Sequence, residues 1–425
     1  MKHALLIIAS CMGWICSQGQ PLAYELVIDN ISIVDAVRQE IRHHQRIYIR
    51  DAAIARIESA QLNLQTVPDT IIDGTGKYII PGFWDMHVHV CWKDHLDESV
   101  FPVLLSYGIT GVRDMGGSAD ILNRFKQQLR DHPASGPVLL GPGPILDGDP
   151  PVQPDFSAAL SMRTVRRVLD SLHDLGVDFF KVYSLLPQDV LEEIAAYSKE
   201  RHIPFAGHIS EYVSPEEAVA AGQASIEHLN GIEYLQKDSL KLQSFLRAAA
   251  AGGSWVCPTL IVYKRKQELA AGKYAYHPLY EGLDPALKLE WEQTRISRQQ
   301  RPLSVSDIAQ AETRYESRKK LVKDLFDAGI PLLTGSDFAG MPFVYPGYSL
   351  HEEMAALQSA GIPPFEILKM AVYNPAVFLG AEDRYGTIEA GKTADLVILD
   401  QNPAEDITHA SDISLVIKSG KLVRK

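Results

Sequence analysis

The chain has 425 residues, enough for one large domain or two ordinary ones. With 46% hydrophobic and 22% charged residues it reads as globular and not disordered. Its 41 basic against 53 acidic side chains give a net charge of −12 with no long basic stripe, which argues against a nucleic-acid partner.

In chain order, Met1-Lys2-His3, the apolar stretch Ala4 to Cys16 and the polar Ser17 to Gln20 have the layout of a secretory signal peptide, expected over residues 1–19. The apolar part is shorter than the roughly 20 residues of a membrane span. Ile8-Ala9-Ser10-Cys11 resembles a bacterial lipoprotein cleavage box, so membrane attachment is expected only through a lipid on Cys11. A buried N-terminal strand or helix is the alternative. The expectation is export to the periplasm or the extracellular space, with Cys91 and Cys257 left as buried, unpaired thiols.

Tyr24 to Asp35 alternates apolar and polar residues in part, and short strand-like runs follow at Arg46–Arg50, Ala53–Ile57 and Tyr78–Ile80. The same texture returns at Ala394–Asp400 and Ser414–Val423. Residues 20–80 and 386–425 are therefore expected to form one small β-sandwich domain from both termini.

Residues 81–385 alternate strand and helix. Apolar runs recur at Phe83–Val90, Gly108–Arg113, Pro137–Leu140, Phe179–Tyr183, Ile203–Ile209, Ala224–His228, Ser254–Val256 and Ile330–Thr334, with amphipathic stretches such as Thr164–Leu175 and Asp189–Arg201 between them. This pattern predicts an α/β fold, a (β/α)8 TIM barrel. The charged stretch 263–310 reads as a helical insertion between the seventh and eighth strands: a lid, a contact in a homo-oligomer, or a solvated decoration. Leu146 to Pro151 is expected as a loop.

In such a barrel, functional side chains sit at the C-terminal ends of the strands. His87 and His89, two apart, share one face of the first strand. Lys181, His208, His228 and Asp337 end later ones. Singly, each is as readily structural; together, at the ends of five strands, they suggest ligands or proton carriers, because an unpaired lysine or aspartate is costly to bury.

The chain here resembles the amidohydrolase superfamily over nearly all its mature length. The resemblance rests on Asp73-Gly74-Thr75-Gly76-Lys77, Pro81 to His89, Gly335-Ser336-Asp337 and Gly391 to Val397. Gly111 to Gly117 and Asn374-Pro375-Ala376 look like the imidazolonepropionase-like branch, which includes metal-dependent prolidases. The resemblance implies that His87, His89 and Asp337 hold one divalent metal and His208 and His228 a second, zinc being the first candidate. It also implies that Lys181 is carboxylated at N6 and bridges both. A free lysine, with a pKa near 10.4, would instead repel metal.

From these parts follows hydrolysis of a C–N amide bond in a dipeptide or N-acyl amino acid by metal-activated hydroxide. Asp337 would carry the proton, and Tyr183 would donate to the oxyanion or simply pack. Arg113 would bind a substrate carboxylate, or pair with Asp114 or another acid. Two other readings stand open. One is a mononuclear cyclic-amide hydrolase or deaminase, for which Glu211, three residues after His208, is the feature to watch. The other is a non-catalytic binding protein on the same barrel.

Overall fold

The computed structural model describes residues 24–64, 67–92, 98–273, 276–300 and 304–423. The expected leader, with Cys11, lies outside the described residues. No described helix is long and apolar enough to cross a membrane.

Both ends of the chain contribute to one eight-stranded sheet. Leu26–Asp35, Glu40–Arg50, Ala53–Ser59, Thr70–Asp73 and Tyr78–Pro81 are joined there by Leu396–Leu399, Ile413–Lys418 and Lys421–Val423. Tyr78–Pro81 is the seam, parallel to the first strand through Ser32↔Tyr78 and antiparallel to Leu396–Leu399 through Ile79↔Ile398. The alternation of the first strand is only partial because the register shifts between Ile28 and Ile31, where Asn30 has φ 55°. An irregularity of this kind re-aims the residues beyond it. Ile28, Ile31, Ile47 and Ile49 share a buried cluster with Ile398 and Ile417. Val34, Ile80, Val397 and Leu399 instead join the core around Phe83 and Ile109.

The middle of the chain is a TIM-barrel-like α/β fold. Phe83–Val88, Ile109–Asp114 and Val138–Leu140 form one parallel sheet. Ile145–Asp147, Phe180–Val182, Phe205–Gly207, Ser225–Glu227 and Trp255–Cys257 run parallel in a second, with Ser157–Ala159 at its edge. Helices such as Ala119–Asp131, Val165–Asp174 and Gln188–Arg201 separate the strands. At one seam the Asp178 amide donates to the Gly141 carbonyl at 3.0 Å. At the other, residues 330–338 bridge Val256 through Leu332 and Val88 through Phe338, both in parallel sense.

Three local expectations change. Ile330–Thr334 is held by isolated bridges and not as a continuous strand. Within the stretch expected as a loop, Ile145–Asp147 is a strand paired to Phe180–Val182. Only two apolar residues, Ile145 and Leu146, sit between Pro144 and Asp147, too short a run to show a period. The carboxylate of buried Asp147 then accepts from the amides of Gly148, Val152 and Leu185, which folds the loop around it. Finally, the insertion is longer than 263–310: its helices are Leu260–Ala270, Leu279–Gly282, Pro285–Gln299 and Val305–Asp327. Trp291, 1% exposed, lies 5.3 Å from the rings of Phe343 and Tyr345, so the insertion is docked on the barrel and is not a solvated decoration.

Candidate metal centre at the mouth of the barrel

The sequence motifs meet each other here. Asp85, from the run that ends in His87 and His89, accepts from the Ser336 amide at 2.9 Å and the Ser336 hydroxyl at 2.5 Å. The strand Phe83–Val88 and the turn Gly335-Ser336-Asp337 are thereby locked together. Asp337 has φ 62° and His228 φ 64°, left-handed conformations that non-glycine residues rarely adopt. Such strain concentrates where surrounding structure fixes a functional side chain. Gly207, at φ 146°, precedes His208; a Cβ there would lie 2.0 Å from the Val182 carbonyl oxygen. Only glycine lets the strand bearing His208 approach the strand bearing Lys181 this closely.

His87, His89, Lys181, His208 and Asp337 are all at most 8% exposed, and His228 is half-buried. The His87 and His228 rings are 4.4 Å apart, His208 and His228 5.0 Å, and His87 and His89 5.4 Å. Nε2 of His87 and of His89 lie 3.4 and 3.2 Å from Asp337 Oδ1. Ligands about 2.0–2.1 Å from a tetrahedral metal are separated by about 3.3 Å, so these three atoms are spaced as one face of such a site.

Every imidazole is tied back through Nδ1. His87 Nδ1 meets Glu227 Oε2 at 2.7 Å, and His89 Nδ1 meets the Gly116 carbonyl at 3.0 Å. His208 Nδ1 meets Ser184 Oγ at 3.1 Å, and His228 Nδ1 meets Thr259 Oγ1 at 2.6 Å. Glu227 and the Gly116 carbonyl can only accept, which leaves Nε2 of His87 and His89 as the free lone pair. Nε2 of His87 and of His208 is buried without a hydrogen-bond partner. Buried polar atoms are rarely left so, and a cation between these rings would satisfy them. The donor set fits a divalent metal.

Electrostatics agree. Burial first, then the neighbouring charges and rings, holds His87, His208 and His228 well below the ordinary imidazole value, as neutral ligands. Burial lowers the Lys181 ammonium to about 8, a value at which a neutral amine is accessible. For Asp337, burial pushes upward but is outweighed by His228 and His89, so its carboxylate stays ionised. Tyr183 stacks on His208 at 4.1 Å, and burial raises its phenol to about 12, so it remains a proton donor at neutral pH.

Arg113 departs from the expected substrate role. It is 1% exposed, with Nε donating to the Met86 carbonyl and its terminal nitrogens to Ser225 Oγ and Glu227 Oε1, the last at 2.7 Å. Strand alternation turns it into the barrel interior, beneath His87, where it holds the carboxylate that orients that ring. Glu211 is exposed at a turn. Sequence reasoning missed Glu227, Thr259 and Ser184. Their one signal is position: Glu227 abuts His228, Ser184 follows Tyr183, and Thr259 lies just past the seventh strand.

Imidazoles, a lysine and a carboxylate gathered at the mouth of a TIM-barrel-like fold define the class. The chain belongs to the amidohydrolase family, whose model matches residues 78–423. Among curated proteins, it is similar to an imidazolonepropionase of Thermoplasma volcanium, 32% identical over 100 residues, 23% of this chain and 24% of that protein. It is also similar to a 5-methylthioadenosine/S-adenosylhomocysteine deaminase of Moorella thermoacetica, 29% identical over 143 residues, 29% of this chain and 33% of that protein. The matches thus span a quarter to a third of these relatives. Among solved structures, bottromycin amidohydrolase superposes with a TM-score of 0.76 at 24% identity, covering 93% of this chain and 86% of that one. A putative prolidase from Bifidobacterium longum gives 0.74 at 20% identity, covering 95% and 96%. These likenesses describe the fold.

Proposed function

We propose that this protein hydrolyses a C–N amide bond in a dipeptide or N-acyl amino acid. The observation that carries this reading is the approach of His87 and His89 Nε2 to Asp337 Oδ1, with the Nδ1 of each of the four imidazoles anchored to a protein oxygen. His87, His89 and Asp337 would hold one divalent ion and His208 and His228 another, with Lys181 carboxylated between them; zinc is the first candidate. Bound metal would supply an acidified water and a polarised substrate carbonyl. Asp337, an ionised carboxylate, accepts the proton of the attacking water and returns it to the leaving amine. Tyr183, protonated at neutral pH, donates to the oxygen on which negative charge develops. Glu227 keeps the His87 ring oriented, and Arg113 holds Glu227 in place.

Deamination of a cyclic amidine is the second reading, favoured by the deaminase among the relatives. Export through residues 1–19 and a two-layer arrangement of the terminal sheet belong to the same proposal. The test is elemental analysis with a panel of dipeptides and N-acyl amino acids. Two metals per chain, both lost in Lys181→Ala together with hydrolysis, is the expected result. One metal per chain with an active Lys181→Ala enzyme would overturn the two-metal model, and ammonia release from cyclic amidines alone would favour the second reading.

A further inference from the structure

A cavity of about 690 Å³ opens above the metal centre, and its far wall comes from the insertion. Tyr183, His208, His228 and Asp337 line one end, and Lys266, Arg314 and Arg318 line the other, together with Glu233 and Glu290. In a chain with a net charge of −12, this wall carries three cations against two carboxylates. Arg318 is fixed, not floppy. Its Nε and one terminal nitrogen donate to Glu233 Oε2 at 2.7 and 2.5 Å, and its guanidinium carbon lies 4.1 Å from the centre of the Tyr263 ring. Arg314 is four residues earlier on the same helix, Val305–Asp327, so both arginines occupy one helical face, and Arg314 is exposed. Tyr263, buried, lines the same cavity beneath the Arg318 guanidinium.

We propose that Arg314 and Arg318 form a carboxylate-recognition site that selects substrates with a free terminal carboxylate. Guanidinium groups recognise carboxylates bidentately, and preformed placement reduces the entropy lost on binding. With the scissile amide at the metal end, a dipeptide or N-acyl amino acid extends its carboxylate along the cavity to this wall. Glu233 holds Arg318 in place, and Arg314 and Lys266 repel a substrate that would present its own cation there. This inference names the substrate class for the site above and rests on that reading only for where the amide sits.

The test is binding without turnover. An N-alkyl amino acid, which has no amide to cleave, and its C-terminal amide are titrated calorimetrically into the metal-loaded wild type, Arg314→Met and Arg318→Met. The free acid is expected to bind the wild type about tenfold or more tightly than the amide, with the preference reduced several-fold in each variant. Arg318→Met strips Glu233 of its partner, so exposed Arg314→Met supplies the independent variant, and a melting curve checks that both are folded. Equal binding of acid and amide by the wild type overturns the proposal, as does an undiminished preference in folded variants. If the preference holds while no amide is hydrolysed, the carboxylate site stands and the hydrolase reading falls. If acids and amides are hydrolysed equally, the reverse is true.

Discussion

The two ends of the barrel are both concave, and only one of them looks built for chemistry. At the floor, a cavity of about 460 Å³ is lined by Trp84, Phe179, Phe378 and Tyr385, with Arg113 above it. The guanidinium carbon lies 5.0 Å from the Phe378 ring and 5.7 Å from that of Phe179, and its nitrogens are bonded to protein oxygens. At the mouth, imidazole nitrogens are left without partners, and His228 and Asp337 sit in strained backbone. A cavity by itself is therefore a poor guide to function. Convergent unsatisfied groups, held there at a conformational cost, are a better one.

The sharpest way to break this contrast is to remove the proton carrier at the mouth. Asp337→Asn is expected to lower the rate of amide hydrolysis by about a thousandfold with the fold retained, measured by turnover and far-ultraviolet circular dichroism. Activity within tenfold of the wild type would remove Asp337 from the chemistry. Next, Glu227→Gln joins the two ends, because it takes the counter-charge from buried Arg113 and the anchor from His87. Leaving a buried cation unpaired costs about 3–5 kcal/mol, so denaturant unfolding should shift strongly. An unshifted midpoint would mean that Arg113 finds another partner.

Thr259→Val removes the Nδ1 anchor of His228 alone. Metal affinity is expected to fall by about 10- to 100-fold, read by competition with a chelator, and unchanged affinity would make Thr259 a mere neighbour. Smaller still is the effect of Glu353, fully buried behind this site, where it accepts from the Ile261 amide at 2.7 Å at the start of the helix after Thr259. Burial pushes its carboxyl up to about 8 from 4.5. A raised folded-state value means its contribution to stability is full below pH 4.5 and is lost as pH rises toward 8. Glu353→Gln should therefore flatten the pH dependence of unfolding across that window, by at most about 1.4 kcal/mol per pH unit. An unchanged slope would show that Glu353 is ionised in the fold. The smallest effect belongs to the floor: Tyr385→Phe should leave kcat/KM within about twofold, and a larger loss would reopen the floor as a functional surface.

Both kinds of information are visible in single residues. Strand periodicity placed His87 and His89 on one face, and the order of Lys181, His208, His228 and Asp337 along the chain marked the mouth, because a barrel returns every strand end to the same rim. Composition likewise gave the acidic, globular character and the terminal β-texture, since these depend on local patterning. Partners did not follow from pattern. Arg113 was open to a substrate carboxylate or to an acid of the chain, and the acid beside it is Glu227, 114 residues away. Strand Ile145–Asp147 was too short to carry a period, and Asn30 broke one.

The sequence by itself determined which residues could bind metal and in what order the chain presents them. Only the tertiary structure decided which imidazole nitrogen each leaves free, which acid holds Arg113, and that the insertion walls the cavity with arginines. The physical reason is range: alternation and turn chemistry are written in neighbouring residues, whereas hydrogen-bond partners and charge pairs are chosen across the folded interior.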